Sequence, residues 1–155
     1  MSPATLDRTA IEARIPHRPP FLFLDRIVEL GASATPPVLT AEWLVPESAD
    51  FFRGHYPGNP ITPGVILCEH AFQAAAILLS ELDSPFGSTS DVPVLARIEK
   101  AKFKRMVRPG ETLRTVVQRV EAVGPAHYLE ASSTVAGTFA FEVRCVLSRV
   151  QGSAR

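Results

Sequence analysis

The chain predicts an α+β fold in which one long apolar helix is surrounded by a mostly antiparallel sheet, and three observations carry that prediction. Val65 to Leu82 is free of Gly and Pro, rich in Ala, Ile and Leu, and apolar nearly all round, so the helix it forms needs cover on most sides. Four strand-like stretches follow in close succession: Val94 to Val107, Glu111 to Val123, Ala126 to Ala136 and Thr138 to Arg149. Pro109-Gly110 and Gly124-Pro125 separate them with turns rather than crossovers, which makes the sheet mostly antiparallel. In the last stretch Phe139, Phe141, Val143, Cys145 and Leu147 share one face, with Thr138, Glu142, Arg144 and Ser148 on the other. Strands of this kind bury the helix by wrapping around it.

The remaining elements are shorter. Asp7 to Arg14 predicts a helical turn anchored by Ile11, broken by the prolines of IPHRPP. Phe21 to Leu30 reads as an extended or helical apolar piece, residues 31 to 37 as a loop, Val38 to Val45 as a strand, and Asp83 to Asp91 as a polar loop. With 155 residues, 46% hydrophobic and 21% charged, one domain spanning 1–155 is expected, its arm 1–14 and tail 150–155 being the segments open to flexibility. Sixteen basic residues against sixteen acidic ones argue against attraction of nucleic acid or membrane by the whole surface. The opening residues carry charges where a secretory signal needs an apolar run, and no uninterrupted apolar stretch reaches about 18 residues, so a soluble, cytoplasmic protein is expected. Cys68 and Cys145 have no metal-ligand spacing and read as small core residues.

Chemistry concentrates where the loop Gly54-His55-Tyr56-Pro57-Gly58-Asn59-Pro60-Ile61-Thr62-Pro63-Gly64 runs into the apolar helix. Its prolines fix φ and its glycines can take φ > 0, so the segment has few conformations and can present His55 as an oriented general base. Glu69 lies inside the apolar helix, where a carboxylate has to be paired, hydrogen-bonded or held protonated. Gln73 is four residues on, on the same helix face, and can orient that carboxyl group or a water bound to it. Gly64 brings the free amides of a helix start, which can polarise a carbonyl. A structural role for either His55 or Glu69 stays open on these residues alone. Together a base, a neutral acid and an oxyanion donor suit proton removal beside a carbonyl with loss of a β-substituent, a dehydration, with thioester hydrolysis and a binding module as alternatives.

The stretches IPHRPPFLFLDRI, FFRGHYPGNPITPGVILCEHAFQ and KFKRMVRPGE resemble the signature segments of the (3R)-hydroxyacyl-acyl-carrier-protein dehydratases, hotdog-fold enzymes of fatty-acid synthesis. The likeness runs over roughly residues 15 to 149. It implies a hotdog fold, with a curved antiparallel sheet around the helix and two sheets joined edge to edge in a homodimer, or a trimer of such dimers. It implies His55 as the base that takes the α-proton, Gly64 N–H as the carbonyl donor and Glu69 of the other subunit as the acid that protonates the departing hydroxyl. No cofactor is implied, because the acyl chain rides on the phosphopantetheine of an acyl-carrier protein. Tyr56 reads first as packing, although beside His55 it can line the site; on a strand Lys100, Lys102 and Lys104 share one face, and the likeness makes these lysines and Arg105 a landing site for the acidic carrier, against the plainer reading of a solvated strand face. Thr62, Cys68 and His70 depart from the family pattern, which puts the acyl pocket in question; His70 is expected to face the sheet or the partner. His17 and His127 receive no role, Trp43 is read as packing, Asp25-Arg26 as an ion pair, and Cys68-Glu69-His70 as no metal triad. A hotdog thioesterase and a non-catalytic carrier-binding subunit of a specialised lipid or polyketide pathway are the alternatives.

Overall fold

The computed structural model describes residues 5–83, 86 and 90–152. A short helix α1, Arg8–Glu12, begins after Asp7, whose side chain accepts from Ala10 N–H, and its Ile11 is fully buried. Two strands follow, β1 Arg26–Gly31 and β2 Val38–Leu44; then come a 3₁₀ turn Asp50–Arg53 and the long helix α2, Gly64–Leu82. The second half is β3 Asp91–Phe103, β4 Thr112–Val123, β5 Ala126–Val135 and β6 Thr138–Gln151. All pairings are antiparallel in one sheet of order β1-β2-β4-β5-β6-β3.

α2 packs against β2, β4, β6 and β3, and from Leu67 to Ser80 nearly every side chain is buried. By length and hydropathy this helix could cross a membrane, yet 72% of it is buried inside the fold, so the sheet supplies its apolar cover. Burying Ile77, Leu78 and Leu79 at 0% exposure contributes about 1.5–3 kcal/mol per side chain. This is the hotdog arrangement, a helix held in a curved sheet.

Several expectations shift. Phe21 to Leu30 is neither one strand nor a helix: residues 21–25 form an extended strap and β1 starts only at Arg26. Asp25 and Arg26 do not pair with each other; Asp25 meets Arg8 at 2.8 Å and accepts from Leu44 N–H at 2.6 Å, whereas Arg26 bonds Glu42. β5 ends one residue early because Ala136 and Gly137, at φ 48° and 78°, make the two-residue hairpin turn. A bulge opposite Ser133 and Thr134 breaks the alternation of β6, leaving Phe139 half-buried while Ala140 and Phe141 are both enclosed. Part of the arm is docked, through α1 and a Leu6–Ile27 bridge, and Val150 and Gln151 pair with β3. Residues 1–4, 153–155 and most of the polar loop after Asp83 lie outside the described residues.

Candidate active site

The loop that carries His55 is closed by its own main chain. The 3₁₀ turn ends at Gly54, His55 N–H donates to Phe51 O at 2.9 Å, and Tyr56 and Asn59 bond each other around Gly58. Gly58, at φ 72°, is the one residue of this loop in the left-handed region. Ile61 N–H returns to His55 O at 3.0 Å and Thr62 N–H reaches Val107 O at 2.8 Å, fastening the loop to the chain beyond β3. Arg108 Nη1 adds donors to Asn59 Oδ1 at 3.0 Å and Pro60 O at 3.3 Å.

One contact sets the chemistry of His55. Its Nδ1 lies 2.8 Å from Ile61 O, and because a carbonyl only accepts, Nδ1 carries the hydrogen, so that in the neutral ring the lone pair is on Nε2. The ring lines a cavity of about 500 Å³ whose walls include Tyr56, Thr62, Gly64, Phe103 and Lys104. Tyr56 stacks on His55 with ring centroids 4.1 Å apart and lines the same cavity. Gly64 opens α2 behind Pro63, which supplies no side-chain cap, so amides of the first turn remain available to a ligand. Space, not φ, favours glycine here: a Cβ at this position would stand 3.1 Å from Phe103 Cζ, which would have to give by a few tenths of an ångström.

Glu69 occupies a different wall. Five residues along a helix turn the side chain by about 140°, and among the described residues Glu69 does not line the cavity of His55. Burial pushes its carboxyl pKa up against the opposing pull of Gln73, favouring the protonated form. Gln73 is fully buried; its Oε1 accepts from Phe23 N–H at 2.8 Å, and its Nε2 donates to Phe21 O at 3.1 Å and Glu69 Oε1 at 3.0 Å. Both amide hydrogens are thereby spent: Gln73 bonds the Glu69 carboxyl group and clasps the strap.

His70 faces the sheet. It is fully buried, with Nδ1 2.6 Å from Phe23 O and Nε2 2.7 Å from Thr115 Oγ1, and it stacks on the buried Trp43. Burial depresses its pKa to about 4, so the ring is neutral.

The basic stretch divides. Lys100 pairs with Glu142 at 2.9 Å on the outer sheet face, and Arg105 is held by both oxygens of Glu111 at 2.8 and 2.7 Å. Lys104 has left the strand, since its N–H turns to Ala140 O, and it lines the His55 cavity together with Arg105. The single three-lysine strand face expected from the alternation is therefore not formed. Lys102 and Lys104 have no ion pair among the described residues.

Two groups escaped the sequence reading. Thr62 Oγ1 is buried beside the His55 cavity without a hydrogen-bond partner among the described residues. His17 brings Nε2 to 3.6 Å from Glu69 Oε1. Only the IPHR stretch of the resemblance pointed to His17; nothing in local spacing brings it to the helix.

A FabA-like domain model matches residues 15–144. The chain belongs to the FabA-like family. The dehydratase FabZ of Oenococcus oeni, named for 3-hydroxyacyl-acyl-carrier-protein, is 40% identical over 124 residues, covering 78% of this chain and 85% of that protein. FabZ of Chloroflexus aggregans is 40% identical over 138 residues, covering 89% and 92%. Among solved structures, the dehydratase heterocomplex ApeI:P of Xenorhabdus doucetiae superposes with a TM-score of 0.59 at 23% identity over 79% of this chain and 96% of that one. PH1136 of Pyrococcus horikoshii superposes at 0.63 and 15% identity over 96% and 94%, likenesses that speak for the fold. In this FabA-like chain the matched span contains the strap, the His55 loop, all of α2 and the Lys104 turn.

Proposed function

We propose that this chain removes water from (3R)-3-hydroxyacyl groups carried on acyl-carrier protein, giving trans-2-enoyl thioesters. The observation that carries the reading is the fixed tautomer of His55, whose unprotonated Nε2 belongs to a ring lining the same cavity as the uncapped start of α2. His55 takes the α-proton, and Gly64 N–H stabilises the negative charge that develops on the thioester oxygen. Glu69, whose carboxyl pKa is raised by burial, donates its proton to the departing hydroxyl. Substrate chemistry of this kind calls on no cofactor. Carrier protein approaches past Lys102 and Lys104, and the compartment is the cytoplasm.

The acid and the base come from different subunits. Within one chain Glu69 does not line the His55 cavity, and β3, an edge of the sheet, exposes Val94, Leu95, Ile98 and Phe103 at 38–47%. An apolar open edge of this length favours pairing with a second copy in a homodimer. Mixing His55→Ala with Glu69→Ala after subunit exchange tests both ideas: random pairing gives one intact site in half the dimers, so recovery of about a quarter of wild-type activity is expected. Failure to recover would refute the shared site. Enoyl absorbance is the readout, and release of free thiol instead would favour a thioesterase.

A further inference from the structure

Glu69 has a neighbour that the proposed proton transfers do not use. His17 sits between α1 and the strap with its side chain 21% exposed, and its Nε2 approaches Oε1, the same carboxyl oxygen that Gln73 Nε2 reaches at 3.0 Å. Its Nδ1 is buried with no partner among the described residues. A hydrogen placed there would be an unsatisfied donor, so the hydrogen belongs on Nε2, facing the acid. Oε1 then accepts from Gln73 and faces the His17 N–H at 3.6 Å, so the acid's own hydrogen is left to Oε2.

We infer that His17 is a positioning residue for Glu69, fixing the transferable hydrogen on Oε2 and stabilising the carboxylate left after its transfer. The inference rests on Glu69 being the acid. In the step it serves, the Glu69 O–H bond breaks and its hydrogen joins the departing hydroxyl as water. The C–O bond breaks as the double bond forms, and the negative charge stays on the carboxyl group. At 3.6 Å the resting contact is longer than a hydrogen bond; it shortens as charge develops on Oε1. The charged groups facing His17 are Glu69 from α2 and Arg18 beside it. Arg18 is spent on the carbonyls of Glu12, Ile15 and His17, and burial together with Arg18 keeps the imidazole neutral, a donor rather than a counter-ion.

His17→Phe keeps the ring's bulk and removes the donor. Expected are a fall in kcat of about tenfold, from loss of a hydrogen bond to a developing charge, with KM unchanged, and an alkaline limb of the kcat profile moved to higher pH. The direction follows because a lost donor destabilises the anion and raises the pKa of Glu69, which acts protonated. His17→Gln, which restores an N–H, should recover part of the rate and return the limb. Wild-type kcat in His17→Phe, or equal losses in both variants with an unmoved limb, would overturn the inference and leave His17 a packing residue. Should His17→Phe not fold, His17→Ala is read for the same limb, with the same two outcomes. Glu69→Gln is assayed alongside: if it stays active the acid assignment itself fails, whereas an inactive Glu69→Gln beside an undisturbed His17→Phe brings down this inference alone.

Discussion

His55 and His70 stand fifteen positions apart in the sequence, one on the loop before α2 and one inside it, and they differ in how many ring nitrogens are tied. His70 has both nitrogens bonded within the core, so it has no lone pair or hydrogen to offer a substrate. His55 has one bonded, to Ile61 O, which fixes the tautomer and leaves the other nitrogen for proton transfer. Immobilising one nitrogen makes a base; immobilising both makes a structural joint. His70 and Gln73 together hold Phe23 by its N–H and C=O, so the joint serves the site indirectly by pinning the strap beside Glu69.

The largest effect that would break this contrast is on turnover. His55→Asn should lower kcat by 10²–10⁴-fold, the range for a lost general base, with little change in melting temperature because the ring is only partly buried. His70→Ala should do the reverse, costing about 2–5 kcal/mol of stability through a cavity and broken hydrogen bonds. Specific activity of the folded fraction should fall far less than in His55→Asn. Calorimetry beside an enoyl assay reads both; equal loss of turnover at the two positions would end the distinction.

A smaller effect sharpens it through pH. The folded pKa of His70 is depressed from 6.5 to about 4 by burial. Its stabilising contribution is therefore fully present above 6.5 and is lost as pH falls through the window down to about 4, where the unfolded chain binds a proton that the core refuses. His70→Gln, which cannot titrate, should flatten the acid side of the stability curve in that window. Glu69 has the opposite sign: its raised folded pKa means that stability is given up as pH rises through it, so Glu69→Gln should gain in melting temperature towards alkaline pH while losing activity. Unaltered pH slopes in either variant would refute its assignment.

Docking sharpens the contrast at Lys104, which lines the His55 cavity, and at Lys102 two residues before it. Replacing Lys102 and Lys104 with Gln should raise KM several-fold for carrier-bound substrate and leave short thioester mimics unaffected. Equal loss on both substrates would refute docking there. Lys100 and Arg105, already paired with Glu142 and Glu111, should contribute less.

How much of this was legible depended on distance along the chain. α2 and the β4–β5–β6 meander were readable because periodicity and turn residues are local signals. The strand order was not, since placing β3 against β6 and β2 against β4 depends on which apolar faces meet across long separations. β3 stops at Phe103 because the amides of Lys104 and Arg105 both turn to Ala140 O, a bond no local pattern announces. His55 and Glu69 were visible from a stiff loop and a carboxyl group in an apolar run. His17 was not, because it reaches Glu69 only through the strap that Gln73 and His70 clasp.

The finest test applies one substitution to two buried threonines. Thr115 sits in a chain with a definite direction. His70 Nδ1–H must donate to Phe23 O, so Nε2 accepts the Thr115 hydroxyl hydrogen, and Ser133 at 2.6 Å must donate to Thr115. Thr115→Val strands both neighbours and should cost about 1–3 kcal/mol, the penalty for buried polar groups left unpaired. Thr62 is 2% exposed and its Oγ1 has no partner, so Thr62→Val removes an unsatisfied hydroxyl at nearly constant shape. That change should be neutral or stabilising by up to about 1 kcal/mol. Denaturant midpoints at constant m-value decide the matter. Opposite signs follow if the polar atoms at the base's cavity and at the core joint are satisfied as described; destabilisation of similar size at both would mean that the Thr62 hydroxyl has a partner in solution.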